Sequence, residues 1–325
     1  MRRACQIEPV AEPSGDDASK AGPLFTVVIP VFNRRAWLER ALRSVLDQTC
    51  RDFEIVVVDD GSDDNPGAVI QALNDPRIRL VSQDHRGGNA ARNLGIDNAS
   101  GRFVALLDSD DQFLPHHLET MQSLLSGEAG AVGYAPVRVF RGTNTEYIKP
   151  PRALAPNEEM ARYLLCDRGF VATSTTVVRT QIARDVRYDE GLKFGQDTDF
   201  AIRLWLSGQK FKMAERPGAI WEDTHRADRV SSGRKGPLLI DWLTHLRPII
   251  SRKAYLGYRG WAIAKGLVAT NPTKALRYYA VALLSLCYTP GLAAIIFAQI
   301  FLSDGLYRKA ANGFIRWRMQ SRLPV

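Results

Sequence analysis

Short apolar runs rich in β-branched residues alternate with longer amphipathic stretches through the first third of this chain. Leu24 to Val31 (LFTVVIPV) is the first run, followed by Glu54 to Val58, Ile78 to Val81 and Phe103 to Leu107. Runs of this kind predict strands covered on both faces. Between them, Arg35 to Gln48 sets Trp37, Leu38, Ala41, Leu42, Val45 and Leu46 at helical spacing. Asn65 to Leu73 predicts a second helix, and Gly88 to Asn98 a third with Ala90, Ala91, Leu94 and Ile96 inward. Strands alternating with helices predict an α/β fold, a mostly parallel central sheet flanked by helices. Beyond Pro115 a helix to Leu125 is expected, then strands over Val132 to Phe140 and Thr173 to Val178 around a short helix near Glu158 to Leu165. Gly195 to Asp199 opens an amphipathic helix through Phe200 to Leu206, a short strand follows near Phe211, and a polar loop runs from Glu222 to Ser232.

Ligands of such sheets gather outside the carboxyl ends of the strands. Pro30 to Asn33, Asp59-Asp60 and Asp108 to Asp111 all fall at such ends, so three polar clusters converge on one rim. The segment Phe103 to Asp111, FVALLDSDD, carries a buried strand straight into three carboxylates and a serine. Like charges at the edge of an apolar core are unfavourable unless a cation or proton neutralises them, which points to a metal site. No GxGxxG follows the first strand, which argues against a dinucleotide site.

The chain has 325 residues, 45% of them apolar and 24% charged, enough for one large α/β domain with a smaller appendage. Its net charge of +8 is unevenly distributed. From Arg234 onward fourteen Lys and Arg face only Asp241 and Asp304, a balance of +12, so the rest of the chain carries about −4. Three of the six Trp and six of the ten Tyr share that basic tail, a mixture favouring an anionic membrane surface over nucleic acid. Cys5, Cys50, Cys166 and Cys287 lack disulfide-framework or zinc spacing, and a reducing cytosolic setting fits. Met1 to Lys20 lacks the apolar core of a signal peptide and is expected to be a disordered lead-in.

In this order, VVIPVFNR, VVVDDGSDD, GGNAARNLG, LLDSDD and GQDTDF resemble an inverting family 2 glycosyltransferase of GT-A fold, over roughly residues 24 to 232. The resemblance implies a nucleotide-diphosphate-sugar donor, Mg²⁺ or Mn²⁺ as cofactor, and a glycan or lipid-linked acceptor. Hard cations of this kind take carboxylate oxygen. Carried over residue by residue, the resemblance makes Asp110 the metal ligand, with Asp108 reaching the ribose or a metal-bound water. Asp60 would bond the base, and Pro30, Phe32 and Asn33 would wall its site. Arg92 and Ser109 would lie by the donor. Asp197 would be the general base of a single displacement, with Asp199 the alternative if the register differs. Many relatives carry Glu-Asp where this chain has Gln196-Asp197. His225, six residues before Ser231, is similar to the family's H-x5-S loop and would contact metal or diphosphate. The residues alone also permit plainer roles: an Asx turn at Asp59 to Ser62, a surface helix arginine at Arg92, and helix caps at Asp111 and Asp197. A nucleotide-sugar-binding protein without catalysis, or a nucleotidyltransferase, is the alternative function.

Three regions are expected: the lead-in (1–22), the catalytic domain (23–233) and a basic helical extension (234–325). From Tyr278 to Ser303 there are 26 residues without a charge, long enough to span a bilayer, but Pro290-Gly291 divides them. Leu306 to Arg318 mixes Arg and Lys with Phe314, Ile315 and Trp317, the composition of a helix lying on anionic lipid. Peripheral or re-entrant attachment at the cytoplasmic face of the plasma membrane is the reading preferred over a full span.

Overall fold

The computed structural model describes residues 22–128, 130–140, 146–223, 236–303 and 305–307. In chain order the elements are β1 (Phe25–Val31), α1 (Arg35–Leu46), β2 (Phe53–Asp59), α2 (Gly67–Leu73), β3 (Ile78–Ser82), α3 (Gly88–Asp97), β4 (Phe103–Leu106), β5 (Gln112–Phe113), α4 (His117–Leu125) and β6 (Ala131–Tyr134). After β7 (Val137–Phe140), β8 (Glu146–Lys149) and α5 (Met160–Cys166) come β9 (Val177–Arg179), α6 (Thr180–Val186), α7 (Gln196–Leu206), β10 (Lys210–Met213) and β11 (Ala219–Glu222). The remaining elements among the described residues are helical: α8 (Gly236–Leu246), α9 (Arg252–Tyr258), a π-helical turn at Arg259–Ile263, α10 (Ala264–Leu267), α11 (Pro272–Leu284) and α12 (Pro290–Phe301). Two compact units result. One comprises the described residues among 1–138, 171–191 and 196–222, the other those among 139–170, 192–195 and 223–325.

The first unit is built on a seven-stranded sheet of order β10-β6-β9-β4-β1-β2-β3. β1 pairs in parallel with both β2 and β4, and only β9 runs antiparallel to its neighbours. The register sets Val31 opposite Asp59, and Asp59 opposite Ser82, so these strands end level and their loops leave from one edge. Val27, Val28 and Ile29 are fully buried, as expected for a central strand covered on both faces. Val28, Ile96, Val104, Leu106, Val178, Phe200 and Leu204 form the core on one face. Where α3 crosses β1 and β2, a Cβ on Gly95 would come within 2.3 Å of Val28 Cγ1, so only glycine allows this approach.

Two predicted strands are shorter than the sequence suggested. The run Val132 to Phe140 breaks at Ala135-Pro136 into β6 and β7, and Thr173–Thr175 is a 3-10 turn before β9. A proline lacks the N–H a continuous central strand must donate.

Within the second unit, the uncharged run 278–303 is divided between α11 and α12. Asn271 caps α11 and Thr289 caps α12, each accepting a backbone N–H and each followed by proline at the first turn. Tyr279, Tyr288, Leu292, Ile296 and Ile300 form the core between these helices. Gln299, polar within the run, accepts from Trp261 Nε1 at 2.8 Å and donates to Tyr307 at 2.7 Å. Among the described residues no helix is long and apolar enough to cross a membrane. The lead-in up to residue 21, the boundary near Gly233 and the basic segment from residue 308 lie outside the described residues.

Candidate active site

The β1–α1 and β2–α2 loops are tied to each other by short polar side chains. Asn33, in the left-handed region at φ 51°, donates its N–H to Ser62 Oγ at 3.0 Å and accepts from the Asp63 N–H at 2.8 Å. Asp59 accepts the Ser62 N–H, three residues on, at 2.9 Å and so braces the turn that leaves β2. Asp60 has a different task. Only 2% exposed, it accepts from Gln83 Nε2 (2.6 Å), the Arg86 N–H (2.8 Å) and the Gly87 N–H (2.9 Å), so both carboxylate oxygens hold the loop between β3 and α3. His85 of that loop lies with Nδ1 2.9 Å from Asp60 Oδ2 and stacks its ring on Phe32, centroids 3.9 Å apart. Pro30 is half-buried beside this wall, and Phe32 is exposed.

α3 carries the next layer. Its motif places Asn89, Arg92 and Asn93 at positions i, i+3 and i+4, one face of the helix, and all three are buried. Asn93 clasps Tyr188, donating to its carbonyl at 3.0 Å and accepting its N–H at 2.8 Å, while Asn89 donates to the Asp189 carbonyl at 2.6 Å. Arg92 donates Nη2 to Asp108 Oδ1 at 2.6 Å and lies 5.3 Å over the Tyr188 ring. Arg92 is therefore no surface arginine. The Tyr188 ring also stacks on Phe200 of α7, centroids 4.1 Å apart. Asp108, Arg92, Tyr188 and Phe200 thus connect the end of β4 to the helix that carries Asp197.

At the end of β4, each carboxylate meets different surroundings. Asp110 Oδ2 is 2.7 Å from Arg34 Nη1. Ser109 is buried. Asp111 is not the helix cap considered from sequence. α4 starts only at His117 and has no side-chain cap, whereas buried Asp111 accepts from Ser174 Oγ at 2.5 Å and the Glu222 N–H at 3.2 Å. Burial, then the charges of Asp110 and Asp108, raise the Asp111 pKa well above the usual carboxylate range. Ser174 also accepts the Asp108 N–H at 3.2 Å, so one hydroxyl braces two of the acids.

Asp197 stands in the first turn of α7, close to Thr173, Tyr188 and Phe200. Desolvation and then Asp108 raise its pKa, with Arg92 opposing. Asp199 is 4% exposed and paired to Arg203 Nε at 2.7 Å, and Arg203 in turn holds the carbonyls of Val186 and Arg187. Asp199 therefore has a structural partner, and Asp197 is the acid of α7 electrostatically coupled to Asp108 and Arg92. His116 meets the Pro217 carbonyl at 3.1 Å, and buried His117 is pushed down to about 3, mainly by burial. His225 lies outside the described residues. Arg34, His85, Ser174, Tyr188 and the two α3 asparagines were not singled out from sequence. Only the asparagines had a signal there, their shared helix face with Arg92.

Among the described residues no three His, Cys, Asp or Glu side chains form a ready-made metal cage. The donor chemistry nevertheless fits a hard cation: Asp108 and Asp110 offer carboxylate oxygens at the rim, and Asp110 already holds a positive charge in the form of Arg34.

A mostly parallel sheet with an acidic rim at its carboxyl edge defines the GT-A class of transferase folds, and solved structures agree. Staphylococcus aureus TarS 1-349 in complex with UDP-GlcNAc matches with a TM-score of 0.61 at 17% identity, covering 90% of this chain and 91% of that one. The model of "Glycosyl transferase family 2" matches residues 26–187. The amylovoran biosynthesis glycosyltransferase AmsB of Erwinia amylovora is 30% identical over 253 residues, 74% of this chain and 83% of the relative. A GalNAc(5)-diNAcBac-PP-undecaprenol beta-1,3-glucosyltransferase of Campylobacter jejuni is 30% identical over 188 residues, 56% of this chain and 60% of the relative. The chain belongs to glycosyl transferase family 2, a family of inverting transferases, and is a glycosyltransferase.

Proposed function

We propose that this enzyme uses a divalent cation to move one sugar from a nucleotide diphosphate to a glycan or lipid-linked acceptor in the synthesis of a cell-surface polysaccharide. One observation carries the reading: Asp108 and Asp110 follow the strand next to β1, and Arg92 and Tyr188 link Asp108 to Phe200 of α7, the helix that carries Asp197, within one folded unit. The UDP-GlcNAc held by the TarS structure and the lipid-linked acceptor named for the Campylobacter relative support the donor and acceptor classes.

In this reading Asp197 takes the proton of the acceptor hydroxyl as its oxygen attacks the anomeric carbon, and inversion needs no second nucleophile. A raised pKa suits that task, because a stronger base that remains ionised at working pH accepts the proton more readily. Phe32 offers its exposed face to the base. Pro30 and Asn33 shape the neighbouring turn, and Asp60 acts by fixing the loop that bears His85. Arg92 fixes Asp108 toward the donor, and buried Ser109 sets the turn between the two acids. Mg²⁺ or Mn²⁺, held by Asp110 and Asp108, would supply Lewis-acid neutralisation of the departing diphosphate. His225 is assigned to the same end of the donor by its motif.

The exposed apolar residues of α11 and α12 support attachment to an anionic membrane surface at its cytoplasmic face. The test is a panel of UDP-, GDP- and dTDP-sugars with Mn²⁺ or Mg²⁺, scored for nucleotide diphosphate release. Release from at least one donor is expected. Donor binding without turnover, or pyrophosphate release from a nucleoside triphosphate, would replace this reading with the binding-protein or nucleotidyltransferase alternative.

A further inference from the structure

Three carboxylates within four positions cannot all remain ionised side by side without compensation. Each here has a different device. Asp108 is paired with Arg92, Asp111 is buried against Ser174 and the Glu222 N–H, and Asp110 is paired with Arg34. The two arginines differ in exposure and in where they stand. The Arg92 side chain is 8% exposed and anchored in α3 between Asp108 and the Tyr188 ring. The Arg34 side chain is 22% exposed and stems from the residue just before α1, whose backbone (φ −138°, ψ 38°) lies outside the helix.

A dication taking Asp110 as ligand must share or displace the guanidinium on Oδ2. We infer that Arg34 is the resident counter-cation of Asp110, yielding to the metal when a nucleotide diphosphate arrives and then serving that diphosphate. This rests on the reading of Asp110 as a metal ligand. A guanidinium matches phosphate oxygens as readily as carboxylate, so the incoming anion supplies the partner that Arg34 loses. Metal and nucleotide binding are thereby coupled: alone, the metal competes with Arg34, and together the two ligands satisfy both charges. The enzyme would hold little metal until the donor is present.

The test is Mn²⁺ binding to the full chain, followed by electron paramagnetic resonance, without nucleotide and with whichever of UDP, GDP or dTDP gives the largest thermal shift. Arg34→Gln is expected to tighten Mn²⁺ binding in the nucleotide-free protein about fivefold, the scale of one partly exposed ion pair. The gain in Mn²⁺ affinity on adding nucleotide should shrink in the same variant. Arg34→Lys, which keeps the charge, should stay closer to wild type and show that charge rather than folding is responsible. If Asp110→Asn abolishes Mn²⁺ binding while Arg34→Gln leaves it unchanged or weaker, the role of Arg34 is refuted and the metal reading survives. If Asp110→Asn binds Mn²⁺ as wild type does, the metal reading fails and this inference falls with it.

Discussion

Asp111 shows how much a single side chain's surroundings matter. In sequence it is one more acid beside a DxD pair, and in the fold it is a buried carboxyl that favours its proton. The sign of the linkage follows. The unfolded chain ionises this group above the reference value of 3.8 while the folded chain resists, so its stabilising contribution is complete below that pH and is lost as pH rises toward the folded value. Asp111→Asn stays neutral and can meet the Glu222 N–H with its carbonyl and Ser174 with its amide. It should therefore stabilise the ligand-free protein at pH 7, and the gain should vanish near pH 4. Chemical denaturation at both pH values checks this, and destabilisation at pH 7 would show that the carboxyl is ionised. Asp108, Asp110 and Asp197 were legible in the sequence because a strand ending in acids and an acid opening a helix have local signatures. Arg34, His85 and Ser174 had none, since their partners lie 76, 25 and 63 residues away respectively and only the closed fold brings them together.

Among the elements, the parallel strands and the helices between them followed their periodicity, because burial on both faces leaves little freedom of assignment. The region after residue 130 did not. Ala135-Pro136 interrupts one apolar run, and the residues before β9 coil into a 3-10 turn that brings Ser174 to Asp108 and Asp111. α3 shows packing overruling intrinsic propensity. Gly95→Ala would gain about 1 kcal/mol in helix preference. Its Cβ, however, would stand 2.3 Å from Val28 Cγ1 and 3.2 Å from Val58 Cγ2, and overpacking of a core costs about 1–3 kcal/mol. Net destabilisation is expected in urea melts, with Val28→Ala in the same chain recovering part of it. A stabilised Gly95→Ala would mean that α3 sits farther from β1, and Arg92 and Asn93 with it.

For the molecule as a whole, the sequence located an uncharged stretch but not its geometry. Its length fits a membrane span, while the end of α11 at Leu284 and the cap of α12 at Thr289 divide it between two helices. Leu284, the last residue of α11, is 83% exposed, and Leu286, in the turn that follows, is 75% exposed and adopts a left-handed φ of 52°. Exposed leucines beside a basic chain suit an anionic bilayer. Replacing both with Asp should weaken co-sedimentation with phosphatidylglycerol vesicles by about tenfold or more without lowering the melting temperature, given what burying two leucines contributes. Unchanged sedimentation would remove this turn from the proposed membrane contact. One carboxylate, Asp197, is proposed to perform the proton transfer at a rim whose acids hold the donor. Comparing wild type with Asp197→Asn for nucleotide diphosphate release, alongside thermal shift by Mn²⁺ and the same nucleotide, tests it most directly. Turnover should fall by about 10²–10⁴-fold with the thermal shift retained. Turnover equal to wild type in a folded, donor-binding Asp197→Asn protein would contradict it.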